Sequence, residues 1–184
     1  MRVISGLYRG RILRSPGDRK TRPTSDRLRE TLFNILAPRI SEETRFLDLC
    51  AGTGAIGIEA LSRGAAFVTF IDRSRRACAL IEENLDALHI PEDKTEIVCV
   101  PAETFTGRSH PEGWDIVFFD PPYDAEYGSV LFDFGNSSPP LLRREGVLIV
   151  EHHSKSRIPD AAGELRRWRV LKQGETSLSF FERS

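Results

Sequence analysis

From Arg45 onward, short apolar runs alternate with amphipathic stretches, and that rhythm predicts a parallel sheet built from strand–helix–strand units. Strands are predicted at 45–50, 67–72, 95–100, 115–119, 146–151, 166–172 and 176–182. Helices fill most of the gaps. One is predicted over 55–63 and another over 75–88, where Ala79, Leu80, Leu85 and Leu88 gather on one side, and Gly64 and Pro91 punctuate their ends. A short turn through Gly174 joins the last two strands, which therefore pair as an antiparallel hairpin. The expected architecture is α/β and Rossmann-like, a seven-stranded, mostly parallel sheet.

Before residue 45 the pattern differs. "RVISGLYRGRILRS" (2–15) alternates briefly and is broken by Gly6 and Gly10, which predicts a small β-hairpin, an arm outside the core carrying Arg2, Arg9, Arg11 and Arg14. "TRPTSDRLRETLFNIL" (21–36) reads as a helix capped by Thr24 or Ser25, with Leu28, Leu32, Ile35 and Leu36 on one face and Pro38 at its end. The chain thus divides into a basic extension, 1–44, and an α/β domain, 45–184.

Composition adds three points. With 184 residues, 40% hydrophobic and 29% charged, the chain is long enough for one real core and should fold throughout. It shows no signal-peptide pattern and no apolar run near the roughly 18 residues that span a bilayer, so a soluble, cytoplasmic protein is expected. Cys50, Cys78 and Cys99 are odd in number without metal-type spacing, which fits buried core thiols in a reducing compartment. His152 and His153 are adjacent and point to opposite faces of a strand, so no metal is expected there.

Charge changes the picture more. The net charge is −1, yet residues 1–45 carry ten Arg and one Lys against five acids, a local +6 that leaves −7 for the remainder. A basic end on an acidic body is the footprint of a phosphate-bearing partner, although a solvated basic surface has the same composition.

Two motifs carry chemistry. "FLDLCAGTGAIGIEAL" (46–61) is a strand, a glycine turn and a helix, with Gly52, Gly54 and Gly57 in G-x-G-x-x-G spacing and Asp72 twenty residues after Gly52. This turn serves any adenosine-containing ligand that needs close backbone approach and a carboxylate on its ribose. Asp48 narrows the choice, because an acid there would repel a pyrophosphate but suits an ammonium and a sulfonium. S-adenosylmethionine has both. Asp48 and the turn Ala51, Gly52, Thr53, Gly54 would face its methionine part, Asp72 with Arg73 beside it the ribose, and Ala102 and Glu103 the adenine. Asp48 can equally cap the following helix.

The second motif is "IVFFDPPY" (116–123), a buried strand that runs into Asp120, Pro121, Pro122 and Tyr123. The prolines end the strand and hold Asp120 and Pro121 extended. An exocyclic amine is a poor nucleophile because its lone pair is delocalised. Asp120 and the Pro121 carbonyl could each accept one of its N–H bonds, drawing nitrogen toward sp3 character, while Tyr123 stacks on the base. Such a base must leave its stack to be reached. A DNA adenine-N6 or cytosine-N4 methyltransferase, an NAD-dependent oxidoreductase and a non-catalytic RNA-binding assembly factor share parts of this pattern.

Taken together, "RVISGLYRGRIL", "TRPTSDRLRETLFNIL", "FLDLCAGTGAIGIEALSRGA" and "IVFFDPPY" resemble the RsmD-type 16S ribosomal RNA guanine-N2 methyltransferases of bacteria over nearly the whole chain. The resemblance implies a class I S-adenosylmethionine-dependent methyltransferase fold and a guanine amine in 16S rRNA, within a 30S subunit or its assembly intermediate, as substrate. It assigns Asp48, Gly52 and Gly54 to the cofactor loop, Asp72 to the ribose and Asp120 to Tyr123 to the amine. Pro101 departs from the Asn or Asp usual before Ala102, which leaves the Ala102 N–H as the adenine contact. Arg2, Arg9, Arg11, Lys20, Arg22 and Arg27 are the candidate phosphate contacts, while Arg22, Thr24, Asp26 and Arg29 could instead order the helix over the site. A monomer is the default expectation.

Overall fold

The computed structural model describes residues 1–16, 25–122 and 127–184. Helix α1 (Asp26–Leu36) leads into the alternation the pattern requires: β1 (Arg45–Leu49), α2 (Ala55–Ser62), β2 (Phe67–Ile71), α3 (Arg75–Leu88), β3 (Thr95–Val98), α4 (Ala102–Thr106), β4 (Trp114–Phe119), α5 (Gly128–Asn136) and β5 (Leu142–His153). The chain closes with β6 (Ala161–Ala162), β7 (Leu165–Gln173) and β8 (Thr176–Arg183). Ser25 caps α1, its hydroxyl accepting from the Leu28 N–H at 3.2 Å.

All the strands join one sheet in the order β3-β2-β1-β4-β5-β8-β7-β6. The first five run parallel, and β8, β7 and β6 are added antiparallel. The sheet therefore has eight strands, not seven. The addition is the two-residue β6, pairing Ala161 and Ala162 with Arg166 and Leu165 at the edge, too short to show any period.

Alternation along the strands sends side chains to two cores. Phe46, Phe70, Phe118, Ile149 and Phe180 pack with residues of α1, α2 and α3 on one face. Leu47, Ile71, Phe119, Val150 and Phe181 pack with residues of α4 and α5 on the other.

The N-terminal arm departs from expectation. Arg2 bridges Ile12, and the Val3, Gly10 and Leu13 N–H groups donate to the Arg11, Val3 and Met1 carbonyls at 3.0, 2.9 and 3.0 Å, so the expected antiparallel hairpin forms, but the arm is not outside the core. Val3 and Leu13 are each 2% exposed and belong to the α1–α3 core. The fully buried Glu59 of α2 holds the arm down, accepting from the Ile4 and Ser5 N–H groups at 2.8 and 3.0 Å and pairing with Arg63 at 2.8 Å. Gly6, at φ 82°, lies so close to α2 that a Cβ would stand 1.7 Å from the Ser62 carbonyl oxygen.

Candidate active site

The turn from β1 to α2 is shaped by three consecutive demands. Cys50, Gly52 and Gly54 all adopt positive φ, at 63°, 56° and 75°. Gly57 answers a different need, since a Cβ there would lie 2.3 Å from the Phe70 ring, and its absence lets α2 sit against β2. A Cβ on Gly52 would meet no atom within 4 Å, so this turn opens onto free space.

Two acids brace the turn. Asp48, 2% exposed, accepts the Gly57 N–H at 2.9 Å and so caps α2 from below. Asp72, half-buried, accepts the Gly52 N–H at 2.9 Å on one oxygen and the Ser74 N–H at 2.8 Å on the other. Each carboxylate oxygen has a second lone pair for a ligand hydroxyl.

At the end of β4, Asp120 donates its N–H to the Leu49 carbonyl at 3.3 Å, which ties the tetrapeptide to β1. Pro121 is buried and Pro122 exposed, and Tyr123 lies outside the described residues. Phe119 pairs with Val150, so Asp120 and Glu151 follow side by side on adjacent strands. By alternation Asp48, Asp120 and Glu151 share the α1–α3 face.

Electrostatics show how closely these groups gather. Burial pushes the Asp48 carboxyl up to about 8, against the Gly57 hydrogen bond and with help from Asp72. Burial also raises Asp120 well above the usual carboxylate range, with Glu151 and then Asp48 adding to it. The Cys50 thiol is pushed up to about 12 by burial and by Asp72, Asp120, Asp48 and Glu103. Four acids predicted from two separate motifs and a third strand end thus surround one residue. Glu151, 6% exposed, was not among the predicted site residues. Its signal was present, since "GVLIVE" is, like "FLD" and "VFFD", an apolar run ended by an acid.

The remaining predicted residues are placed as follows. The Ala51 N–H donates to the Ile71 carbonyl at 2.9 Å, and the Thr53 carbonyl accepts from Asn84 Nδ2 at 3.0 Å. Arg73 is exposed, Ala102 is buried at the first position of α4, and Glu103 beside it is exposed. Pro101 occupies the cap position of α4 without a side-chain bond. Arg2, Arg9, Arg11 and Arg27 are all exposed, with Arg11 Nη2 donating to the Ala87 carbonyl at 3.1 Å. Lys20, Arg22 and Thr24 lie outside the described residues. Arg29 is fully buried and donates to the Arg2 carbonyl and to Asp26 Oδ1, so this pair ties α1 to the arm.

Some expectations need correcting. The cysteines are not core thiols: Cys99 is exposed, Cys50 is half-buried at the end of β1, and Cys78 is half-buried in the first turn of α3. Both ring nitrogens of His152 are engaged, with the His153 carbonyl at 3.0 Å and Ser179 Oγ at 2.9 Å. No cluster of three metal-ligating side chains occurs among the described residues. No helix there is long and apolar enough to cross a membrane. Two surface hollows, of about 560 and 510 Å³, lie elsewhere, lined by Arg39, Asp115 and Arg143 and by Pro111 and Arg183. They flank the amino ends of β4 and β5, the wrong edge for ligands in an open α/β sheet.

Comparison with known proteins covers the whole chain. The profile of a family described as conserved hypothetical protein 95 matches residues 1–182. Ribosomal RNA small subunit methyltransferase D of Escherichia coli is 35% identical over 190 residues, covering 100% of this chain and 90% of that protein. The same-named protein of Haemophilus influenzae is 38% identical over 124 residues, 67% of this chain and 64% of its own. The solved structure of Escherichia coli yhhF is 33% identical with a TM-score of 0.86, covering 100% of this chain and 98% of that one.

Proposed function

The chain belongs to the conserved hypothetical protein 95 family, the RsmD family, and on that premise we propose that it transfers a methyl group from S-adenosylmethionine to the N2 amine of a guanine in 16S rRNA, within a 30S subunit or its assembly intermediate. One observation carries the reading: Asp48, Asp72 and Asp120 stand at the carboxyl ends of the neighbouring strands β1, β2 and β4, with Asp48 and Asp72 bracing the glycine turn and Asp120 tied to Leu49. That edge lies where the strand order reverses between β1 and β4, the crevice in which open α/β sheets take ligands.

A negative, partly buried site favours a cationic donor and opposes the pyrophosphate of a dinucleotide. When bound, S-adenosylmethionine supplies an electrophilic methyl group on a sulfonium. The open turn at Gly52 gives its methionine part room, Asp72 accepts from the ribose hydroxyls, and Ala102 and Glu103 border the adenine. Asp48 acts from beneath, fixing α2 through the Gly57 N–H.

On the substrate side, Asp120 and the Pro121 carbonyl accept the two amine hydrogens and turn the nitrogen lone pair outward. Tyr123 stacks on the extruded base. Transfer would break the S–CH3 bond as the C–N bond forms, leaving the cofactor as a neutral thioether, and Asp120 would take the proton from the resulting ammonium. Alignment and proximity supply most of the rate.

The test is transfer of radiolabelled methyl to unmethylated small ribosomal subunits by the wild type and by Asp120→Ala, with the product nucleoside identified. N2-methylguanosine that vanishes in the variant is the expected result. A different methylated nucleoside, or methylated DNA, would overturn the reading.

A further inference from the structure

We propose that strand β7 and the β5–β6 connection before it form a second rRNA-contacting surface on the flank away from the N-terminal arm, with Trp168 as a base-stacking platform and Lys155, Arg157 and Arg169 as phosphate contacts. The proposal rests on rRNA as substrate and adds where on the molecule it is gripped.

Charge is the first observation. Residues 154–173 hold six cations against Asp160 and Glu164, a net +4 inside a domain that carries −7 over residues 46–184. Both acids are already engaged, Asp160 by Arg167 and Glu164 by Arg183. Lys155, Arg157, Arg169 and Lys172 are exposed and form no ion pair among the described residues.

The second observation is a bulge. Arg167 pairs with Phe181 and Arg169 with Phe180, so Trp168 is an extra residue in β7. A regular strand would send Trp168 and Arg169 to opposite faces. The bulge instead brings both over the buried Phe180, with the Trp168 ring 5.7 Å away and tilted 54° and the Arg169 guanidinium 5.9 Å from the ring centroid. A ring that is 47% exposed and backed by a rigid one is a platform for a base.

Protection of an open edge against strand pairing would account for the cations, because β6 covers only Leu165 and Arg166. It does not account for an exposed Trp168. Position favours RNA. Phe180 pairs with Ile149, on the sheet face that carries Glu151 and Asp120, and β7 is three strands from β4, roughly 14 Å at ordinary strand spacing. A strand that presents one base to Asp120 can lay a neighbouring segment across this surface.

The test uses the full chain, unmethylated small ribosomal subunits and the variants Trp168→Ala, Trp168→Phe and the double variant Arg157→Glu with Arg169→Glu. Affinity for S-adenosylmethionine, measured on each, reports an intact site. Trp168→Ala should raise KM for subunits by about 5- to 100-fold, as loss of a stacked base does, with kcat within about twofold and Trp168→Phe near wild type. The charge reversal should weaken binding and flatten its salt dependence. Unchanged KM and salt dependence in all three variants would overturn the proposal. If the wild type transfers no methyl to subunits, the proposed reaction fails separately, and cosedimentation of wild type and variants with the same particles still decides this surface. Equal cosedimentation would overturn it.

Discussion

In the proposed reaction Asp120 accepts a proton, in surroundings that resist negative charge. Burial, then Glu151, then Asp48 hold its carboxyl well above the usual range. Transfer should therefore rise with pH through the raised pKa. Asp120→Asn should lower kcat by about 10²- to 10⁴-fold with cofactor affinity within a few-fold. Glu151→Gln removes the nearer like charge and should move the rising limb of the pH–rate profile to lower pH; a limb that stays in place would mean that Glu151 does not set it. Asp48 gives a stability prediction with a definite sign. Its folded pKa of about 8 exceeds the ordinary 3.8, so the folded state binds more protons between those values. Stability should fall as pH rises from about 4 to about 8, at most about 1.4 kcal/mol per unit from this group. Asp48→Asn keeps an acceptor for the Gly57 N–H and should flatten that slope in denaturant titrations across the range.

Among the elements, α2 is the hub. It takes Asp48 at its first turn, packs through Gly57 against Phe70, and receives the N-terminal arm through Glu59 and Ser62. Glu59→Gln would leave buried Arg29 and half-buried Arg63 short of their counter-charge. It should cost about 3 kcal/mol in denaturant unfolding, with earlier hydrogen exchange at Ile4 and Ser5. Equal stability would show that the arm is held by Val3 and Leu13 instead. This arrangement also explains what could and could not be read beforehand. β1, β2, β4 and β5 were legible because strands buried on both faces leave long apolar runs, and the acids Asp48, Asp72 and Asp120 stand at the ends of such runs. The arm was misread because its two core residues, Val3 and Leu13, sit ten positions apart with charge between them. Neither period 2 nor period 3.6 records a segment that touches the core only at its ends. Glu151 was passed over because no glycine turn or proline pair marks its strand end, and its meaning comes from β4 lying alongside.

For the molecule as a whole, a net charge of −1 means that long-range attraction to rRNA is weak and that binding depends on where cations are placed. The N-terminal arm lies over α2 and α3 on one flank, and β7 lies beyond β5 and β8 on the other, with the acidic cleft between. Four strands separate β2 from β7, a distance of about 24 Å at ordinary spacing. Contacts that far apart should act independently. Arg9 and Arg11 are the arm's strongest candidates, and the structure distinguishes them. Arg11 also donates to the Ala87 carbonyl at the end of α3, whereas Arg9 is exposed on the turn of the arm. Arg9→Ala should weaken subunit binding and reduce the slope of log K against log salt by about 0.7 to 0.9 without changing thermal stability. Arg11→Ala should do the same and lower stability by a few tenths of a kcal/mol, about what an exposed hydrogen bond contributes. Combining Arg9→Ala with Arg169→Ala should add both the affinity losses and the slope changes. A combined loss well below their sum would mean that rRNA engages one flank at a time, and the cleft would then be entered from a single side.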